Sequence, residues 1–141
     1  MTNDTITKTL FFSAPRETVW DFLTKKEKLA TWFYPAEADL AAGQEYTLIR
    51  KADDGSSVKQ CWGSVQKWNP PSQLTYSFST KFFNGASTIV SWKLEEIQGG
   101  TKLTLEHSGI SASGDEFMGL LAAFDAGWDR HFASLRQAIS P

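Results

Sequence analysis

Apolar residues fall at every second position through much of this chain, and switch near its end to steps of three and four. Ile6, Leu10 and Phe12 share one face of a predicted strand over residues 5–12. Lys8 lies on that face near the strand start, where its long stem can snorkel outward. Ser13-Ala14-Pro15 ends the strand. Ser13 or Ala14 reads as a helix cap and Pro15 as a first-turn residue, where a missing N–H costs nothing. Val19, Phe22 and Leu23, with Trp20 beside them, predict a short helix. Leu29, Trp32 and Phe33 predict a second, stopped by Pro35.

Period two then returns. Residues 45–51 read as a strand, Asp53-Asp54-Gly55 as a hairpin turn, and residues 58–68 as a longer strand broken by Asn69-Pro70-Pro71-Ser72. Leu74, Tyr76 and Phe78 alternate with Thr75, Ser77 and Ser79, and Val90, Trp92 and Leu94 with Ser91 and Lys93. Leu103, Leu105 and His107 follow the same rule, and Asn84-Gly85 and Gln98-Gly99-Gly100 supply the turns. Consecutive strands joined by short turns imply an antiparallel meander. After Ser113-Gly114-Asp115, the residues Phe117, Leu121, Phe124, Trp128, Phe132, Leu135 and Ile139 form a helical stripe. At ~1.5 Å per residue, about 25 residues give a helix of roughly 37 Å. Gly119 and Gly127 lower its propensity, and Gly127 beside Trp128 offers room for a close approach. The fold class is therefore α+β: a curved antiparallel sheet of about six to seven strands, two short helices after the first, and a long C-terminal helix across the sheet. One domain accounts for residues 1–141, with no internal repeat or linker.

Composition narrows the function more than the fold. A net charge of −2 with no Arg/Lys run argues against nucleic acid and against a polybasic membrane anchor. No apolar run approaches the ~20 residues that cross a bilayer. Residues 1–8 are polar and lack the apolar stretch of a secretion signal. The single cysteine, Cys61, excludes an intrachain disulfide and suits a reducing cytoplasm. The chain carries six Trp, ten Phe and three Tyr, enough rings either to fill a core or to line a cavity.

The order of several motifs carries a family resemblance: Ser13-Ala14-Pro15, Thr18-Val19-Trp20, Leu29-Ala30-Thr31-Trp32-Phe33, Gly63-Ser64-Val65 before Asn69-Pro70-Pro71, and Trp92-Lys93-Leu94-Glu95. Gly100 to Gly109, reading GTKLTLEHSG, and the late Gly127-Trp128 complete it. The chain resembles the helix-grip superfamily that includes START lipid-transfer domains, polyketide cyclases and the birch-pollen allergen. Within it, the chain is most similar to bacterial stand-alone domains like the C-terminal domain of the heat-shock-protein-90 ATPase activator. That resemblance implies a sheet closed over a long helix, with an interior that in relatives takes lipids, hormones or polyketides. It does not choose an activity.

Few residues suit catalysis. His107 shares the inward face of Leu103 and Leu105; it reads either as a polar, acid/base-capable group at a cavity mouth or as a hydrogen-bonded residue locking the strand end to the adjoining loop. His131 lies off the apolar stripe and reads as helix surface. Cys61 has no neighbouring base in sequence to activate it. Asp125 and Asp129, and the pair Glu95-Glu96, read as solvated. No nucleophile-elbow, phosphate-loop or metal-ligand spacing occurs, so no cofactor, metal or catalytic residue is assigned.

Binding fits better. The candidate lining is Gln60, Trp62, Tyr76 and Phe78 from two strands, and Val90, Trp92, Leu105 and His107 from two more. Phe117, Leu121, Phe124 and Trp128 face them from the helix, and Trp32 and Phe33 close one end. The first reading is a binding protein for a small hydrophobic or amphipathic molecule such as a lipid. A chaperone-associated, stress-response role follows from the family resemblance, and a cyclase- or hydrolase-type enzyme ranks third. Edge strands and the exposed pair Phe82-Phe83 make a homodimer a further candidate.

Overall fold

In the computed structural model, which describes residues 4–139, the order is β1 (Ile6–Phe12), α1 (Arg16–Thr24), α2 (Lys26–Trp32), β2 (Glu45–Lys51), β3 (Ser57–Asn69), β4 (Gln73–Phe78), β5 (Thr88–Ile97), β6 (Gly100–Ser108) and α3 (Phe117–Ile139). Residues 1–3, part of the polar amino-terminal segment, and 140–141 lie outside the described residues. The six strands form one antiparallel sheet in the order β1-β6-β5-β4-β3-β2, so the first strand returns to pair with the last. This is the expected α+β helix-grip arrangement, with short single-turn 3₁₀ segments at Lys81–Phe83 and Ile110–Ser113.

The alternation read from the sequence becomes the core. Leu74, Tyr76 and Phe78 of β4, Val90, Trp92 and Leu94 of β5, and Leu103, Leu105 and His107 of β6 are buried. Trp128, Phe132 and Leu135 of α3 press onto the inner face. Trp92 meets Trp128 and Phe132 edge-on, with centroids 5.7 and 6.0 Å apart. Such ring pairs add to the area they bury.

Capping differs from expectation. Neither Ser13 nor Ala14 caps α1; Pro15 itself stands at the N-cap, and its carbonyl accepts from the Thr18 and Val19 amides. Helix α2 is served from a distance: Asp39 accepts the Lys26 amide at 2.8 Å. The Trp32 indole N–H donates to the Phe22 carbonyl at 2.7 Å and ties α2 to α1. The long helix begins at Phe117, because Ser113 is taken up in the preceding 3₁₀ turn. Its 23 residues span about 34 Å.

Lys8 does not reach open solvent. Its ammonium lies 2.8 Å from Asp125 and 3.1 Å from Asp129, so these helix carboxylates clamp the first strand. The carboxylates are more than half exposed. A Lys8→Met variant should therefore lose less than ~1 kcal/mol in urea unfolding, with a smaller loss at high salt. A loss several times larger would show that the clamp matters far more than its exposure implies. Of the pair at 82–83, only Phe82 is exposed; Phe83 is completely buried against Phe78 and Phe124.

Candidate functional site

Burial along α3 is uneven. Its carboxyl-terminal half is sunk into the core, whereas Phe117, Leu120, Leu121 and Phe124 are only half-buried. Beneath that half, between α3 and strands β3 and β4, lies a cleft of about 320 Å³. Leu120, Ala123, Phe124, Gly127, Trp128, Arg130 and His131 form its helix wall, at steps of three and four along one face. Gln60 and Cys61 of β3, Phe78 of β4, and Thr80 and Phe82 just beyond form the facing wall. Phe33 and Tyr34, after α2, close one end.

The space exists because two of the helix residues are too small to fill it. A Cβ added at Gly127 would meet only the Arg130 guanidinium, at 3.7 Å. No ring packs against Gly127, contrary to the close approach expected there; its lack of a side chain leaves volume open instead. Ala123 does the same one turn earlier.

The predicted site residues divide between this wall and the solid core. Phe33, Gln60, Phe78, Phe124 and Trp128 line the cleft. Trp32, Tyr76, Val90, Trp92 and Leu105 are buried in the close-packed interior around it. Phe117 and Leu121 are half-buried on α3 outside the lining. Trp62 is half-exposed, with the Lys59 ammonium 5.3 Å from its ring centre. Pairing of β2 with β3 explains its placement. Leu48 opposes Cys61 and Ile49 opposes Lys59, so Gln60 is a bulge residue without a partner. Alternation restarts there, turning Cys61 to the buried face and Trp62 away from it.

His107 is fully enclosed and outside the cleft lining. The Trp128 indole N–H donates to His107 Nδ1 at 3.1 Å. Nδ1 is then bare and the proton sits on Nε2, which donates to Thr88 Oγ1 at 2.8 Å. The Thr88 hydroxyl donates in turn to the Phe78 carbonyl at 2.7 Å. Every polar atom in this chain has a partner, and each points its proton the same way. Burial lowers the His107 pKa to about 4, partly offset by the charge of Asp4. The imidazole is thus a neutral structural link between β6, β5 and α3, rather than a lock onto the adjoining loop.

The polar groups of the cleft are others. His131, expected on the helix surface, is half-buried and sits edge-on to Phe33 at 4.7 Å and to Tyr34 at 5.4 Å. Its Nδ1 lies 3.3 Å from the Trp32 carbonyl, an acceptor only, which leaves Nε2 as a free acceptor. Burial lowers its pKa, and the Trp32 carbonyl partly restores it. Burial raises that of Tyr34 and pushes the Cys61 thiol up to about 12, so Cys61 holds no thiolate at neutral pH. No carboxylate lines the cleft, and among the described residues no cluster of His, Cys, Asp or Glu could hold a metal ion. The arrangement can hold a molecule by ring contacts and a few hydrogen bonds; it offers no nucleophile poised for bond chemistry.

Several lining residues were not predicted, for local reasons. Tyr34 and Thr80 sit in irregular segments and Phe82 in a single 3₁₀ turn, all too short for periodicity to give a face. Ala123, Gly127 and His131 lie beside the large-residue stripe rather than on it.

The sequence model of the family described as "Activator of Hsp90 ATPase homolog 1-like protein" matches residues 13–140. CalU16 from Micromonospora echinospora is 26% identical, with a TM-score of 0.76 over 97% of this chain and 76% of its own. Protein MLL2253 from Mesorhizobium loti is 23% identical, with a TM-score of 0.77 over 95% of each chain. PFC0360w, an HSP90 activator from Plasmodium falciparum, shares 20% identity and a TM-score of 0.73 over 93% of this chain and 92% of its own. No curated protein gives a significant match. Among the described residues, no helix is long and apolar enough to cross a membrane.

Proposed function

The chain belongs to the activator of Hsp90 ATPase homolog 1-like family, within the helix-grip superfamily, and from that premise we propose that it binds a small hydrophobic or amphipathic molecule between its sheet and α3. The observation that carries this reading is the open cleft walled by Phe33, Phe78, Phe124 and Trp128, whose volume Ala123 and Gly127 leave unfilled. Ligand sites commonly pair such an apolar wall with a few placed polar groups. Here those groups are Tyr34, Gln60, Thr80 and His131. A buried free thiol on the wall suits a reducing cytoplasm as the place of work.

The test uses the glycine. Gly127→Leu projects a side chain from the cleft wall at a position where an added Cβ meets only the Arg130 guanidinium, at 3.7 Å, and leucine is the better helix former by about 0.8 kcal/mol. Native mass spectrometry of freshly purified protein and a thermal-shift screen of lipids and aromatic compounds should find binders to the parent chain. Gly127→Leu should remain folded, melt no lower, and lose those binders. Ligands that bind both forms alike would place the site elsewhere.

The family's description favours a second reading, a domain associated with a chaperone ATPase, supported also by the likeness in fold to the Plasmodium activator. The exposed rings and thioether of Phe82 and Met118 give such a partner an apolar foothold. Acceleration of a bacterial heat-shock-protein-90 ATPase by the parent chain, lost in Phe82→Ser, is the expected result for that role; an unchanged ATPase rate removes it.

A further inference from the structure

We infer that the molecule taken up by the cleft is an amphipathic anion, with its apolar body among the rings and a carboxylate or similar group against Arg130 and Arg50 at the rim. This rests on the ligand-binding reading above and specifies its chemistry.

The cleft is electrically one-sided. The chain as a whole is acidic, at −2. Yet no Asp or Glu lines the cleft, and its one permanently charged lining residue is Arg130. Arg50 joins it through the wall: its Nε donates to Gln60 Oε1 at 2.8 Å, and Gln60 is a lining residue. That bond uses one N–H of the guanidinium and leaves both terminal amino groups without a hydrogen-bond partner among the described residues. The ion pairs among the described residues are made by Lys8, Lys25 and Lys93, so neither Arg50 nor Arg130 has its charge met by an acid. Both cations also lie near enough to Tyr34, at one end of the cleft, for each to offset in part the rise that burial causes in its pKa.

A guanidinium presents a planar fork that matches a carboxylate with two parallel hydrogen bonds. Two forks at the rim of an apolar, acid-free cleft favour a negative head group and disfavour a positive one. The adjoining rings of Phe33, Phe124 and Trp128 favour a flat apolar body.

Two probes with the same ring system and different head groups test this: the anionic 2-naphthoate and the neutral 2-naphthalenemethanol, titrated calorimetrically into the parent chain, Arg130→Gln, Arg50→Gln and Gly127→Leu. Both arginines are exposed, so their variants should fold. The naphthoate should bind the parent about tenfold more tightly than the alcohol. That preference should shrink as salt rises. Arg130→Gln should erase most of the preference by weakening the naphthoate far more than the alcohol, and Arg50→Gln should reduce it. Equal binding of both probes by the parent, abolished by Gly127→Leu, would overturn the anion assignment and leave the cleft reading intact. A naphthoate preference that survives both arginine substitutions would also overturn it. Binding of neither probe at millimolar concentration would remove both readings.

Discussion

Replacing His107 with alanine should cost about 3–5 kcal/mol of unfolding free energy, read from urea midpoints at pH 7. Two losses combine. A fully buried ring disappears from a close-packed interior, leaving a cavity. The Trp128 indole N–H also loses its only acceptor in a dry site, a desolvation penalty of about 1–3 kcal/mol by itself. His107→Phe separates the two, since it restores the volume but not the acceptor. The pair His107→Phe with Trp128→Phe removes both hydrogen-bond partners and should be more stable than the sum of the single changes predicts. Simple additivity would mean that the bond between them contributes little.

The same residue sets an acid response. Its pKa falls from 6.5 to about 4 on folding, so between those values the unfolded chain takes up a proton that the folded one refuses. Stability should be complete above pH 6.5 and decline as the pH falls toward 4, by about 3 kcal/mol over that interval. His131, also lowered by burial, adds in the same direction. His107→Phe should lose most of the slope, keeping the part due to His131 and, toward pH 4, the part due to Asp4, whose carboxyl is held below its usual range. Parallel pH profiles for the parent and His107→Phe would contradict the enclosed, one-tautomer network.

The second large effect is expected at Gly63. Here β3 passes so close to β4 that an added Cβ would overlap the Ser77 carbonyl. That carbonyl cannot move aside freely. It accepts the Tyr46 hydroxyl at 2.6 Å, while Ser77 Oγ accepts the Ser64 amide at 2.9 Å. Gly63→Ala must break one of these or spread the two strands, at a cost of about 3 kcal/mol. Thermal melting of the variant checks this directly, and a melting temperature within a degree of the parent would show that the strands part easily. A glycine that looks like a defect inside a strand is thus the condition for this close approach of β3 to β4.

How far the sequence reaches is set by regularity. The sheet was legible because a half-buried strand must alternate, and Leu74 to Phe78, Val90 to Leu94 and Leu103 to His107 do so without interruption. The long helix was legible through Trp128, Phe132 and Leu135, whose burial demands large apolar residues at helical steps. The cleft was only partly legible, because an open space is defined by what is missing. Ala123 and Gly127 leave no apolar signal, and they decide where the space lies. A single bulge at Gln60 reversed the facing of Cys61 and Trp62, and no propensity marks where a bulge will fall. His131 misled because a position beside the core stripe faces solvent on most helices, whereas here the second wall rises next to it.

One consequence of the uneven burial of α3 concerns the size of what the cleft can accept. Mechanically the helix is a beam clamped at one end: Trp128, Phe132 and Leu135 fix it, and the overhang from Phe117 to Phe124 rests on weaker, half-solvated contacts. A longer guest can be housed by tilting the overhang, at the expense of those contacts alone. The inner wall at Trp128 stays rigid, tethered through its indole to His107. Selectivity should therefore be strict for the end of the guest that reaches Trp128 and lenient for the end beneath Leu120, so homologues lengthened at the outer end keep their affinity while those broadened at the inner end lose it.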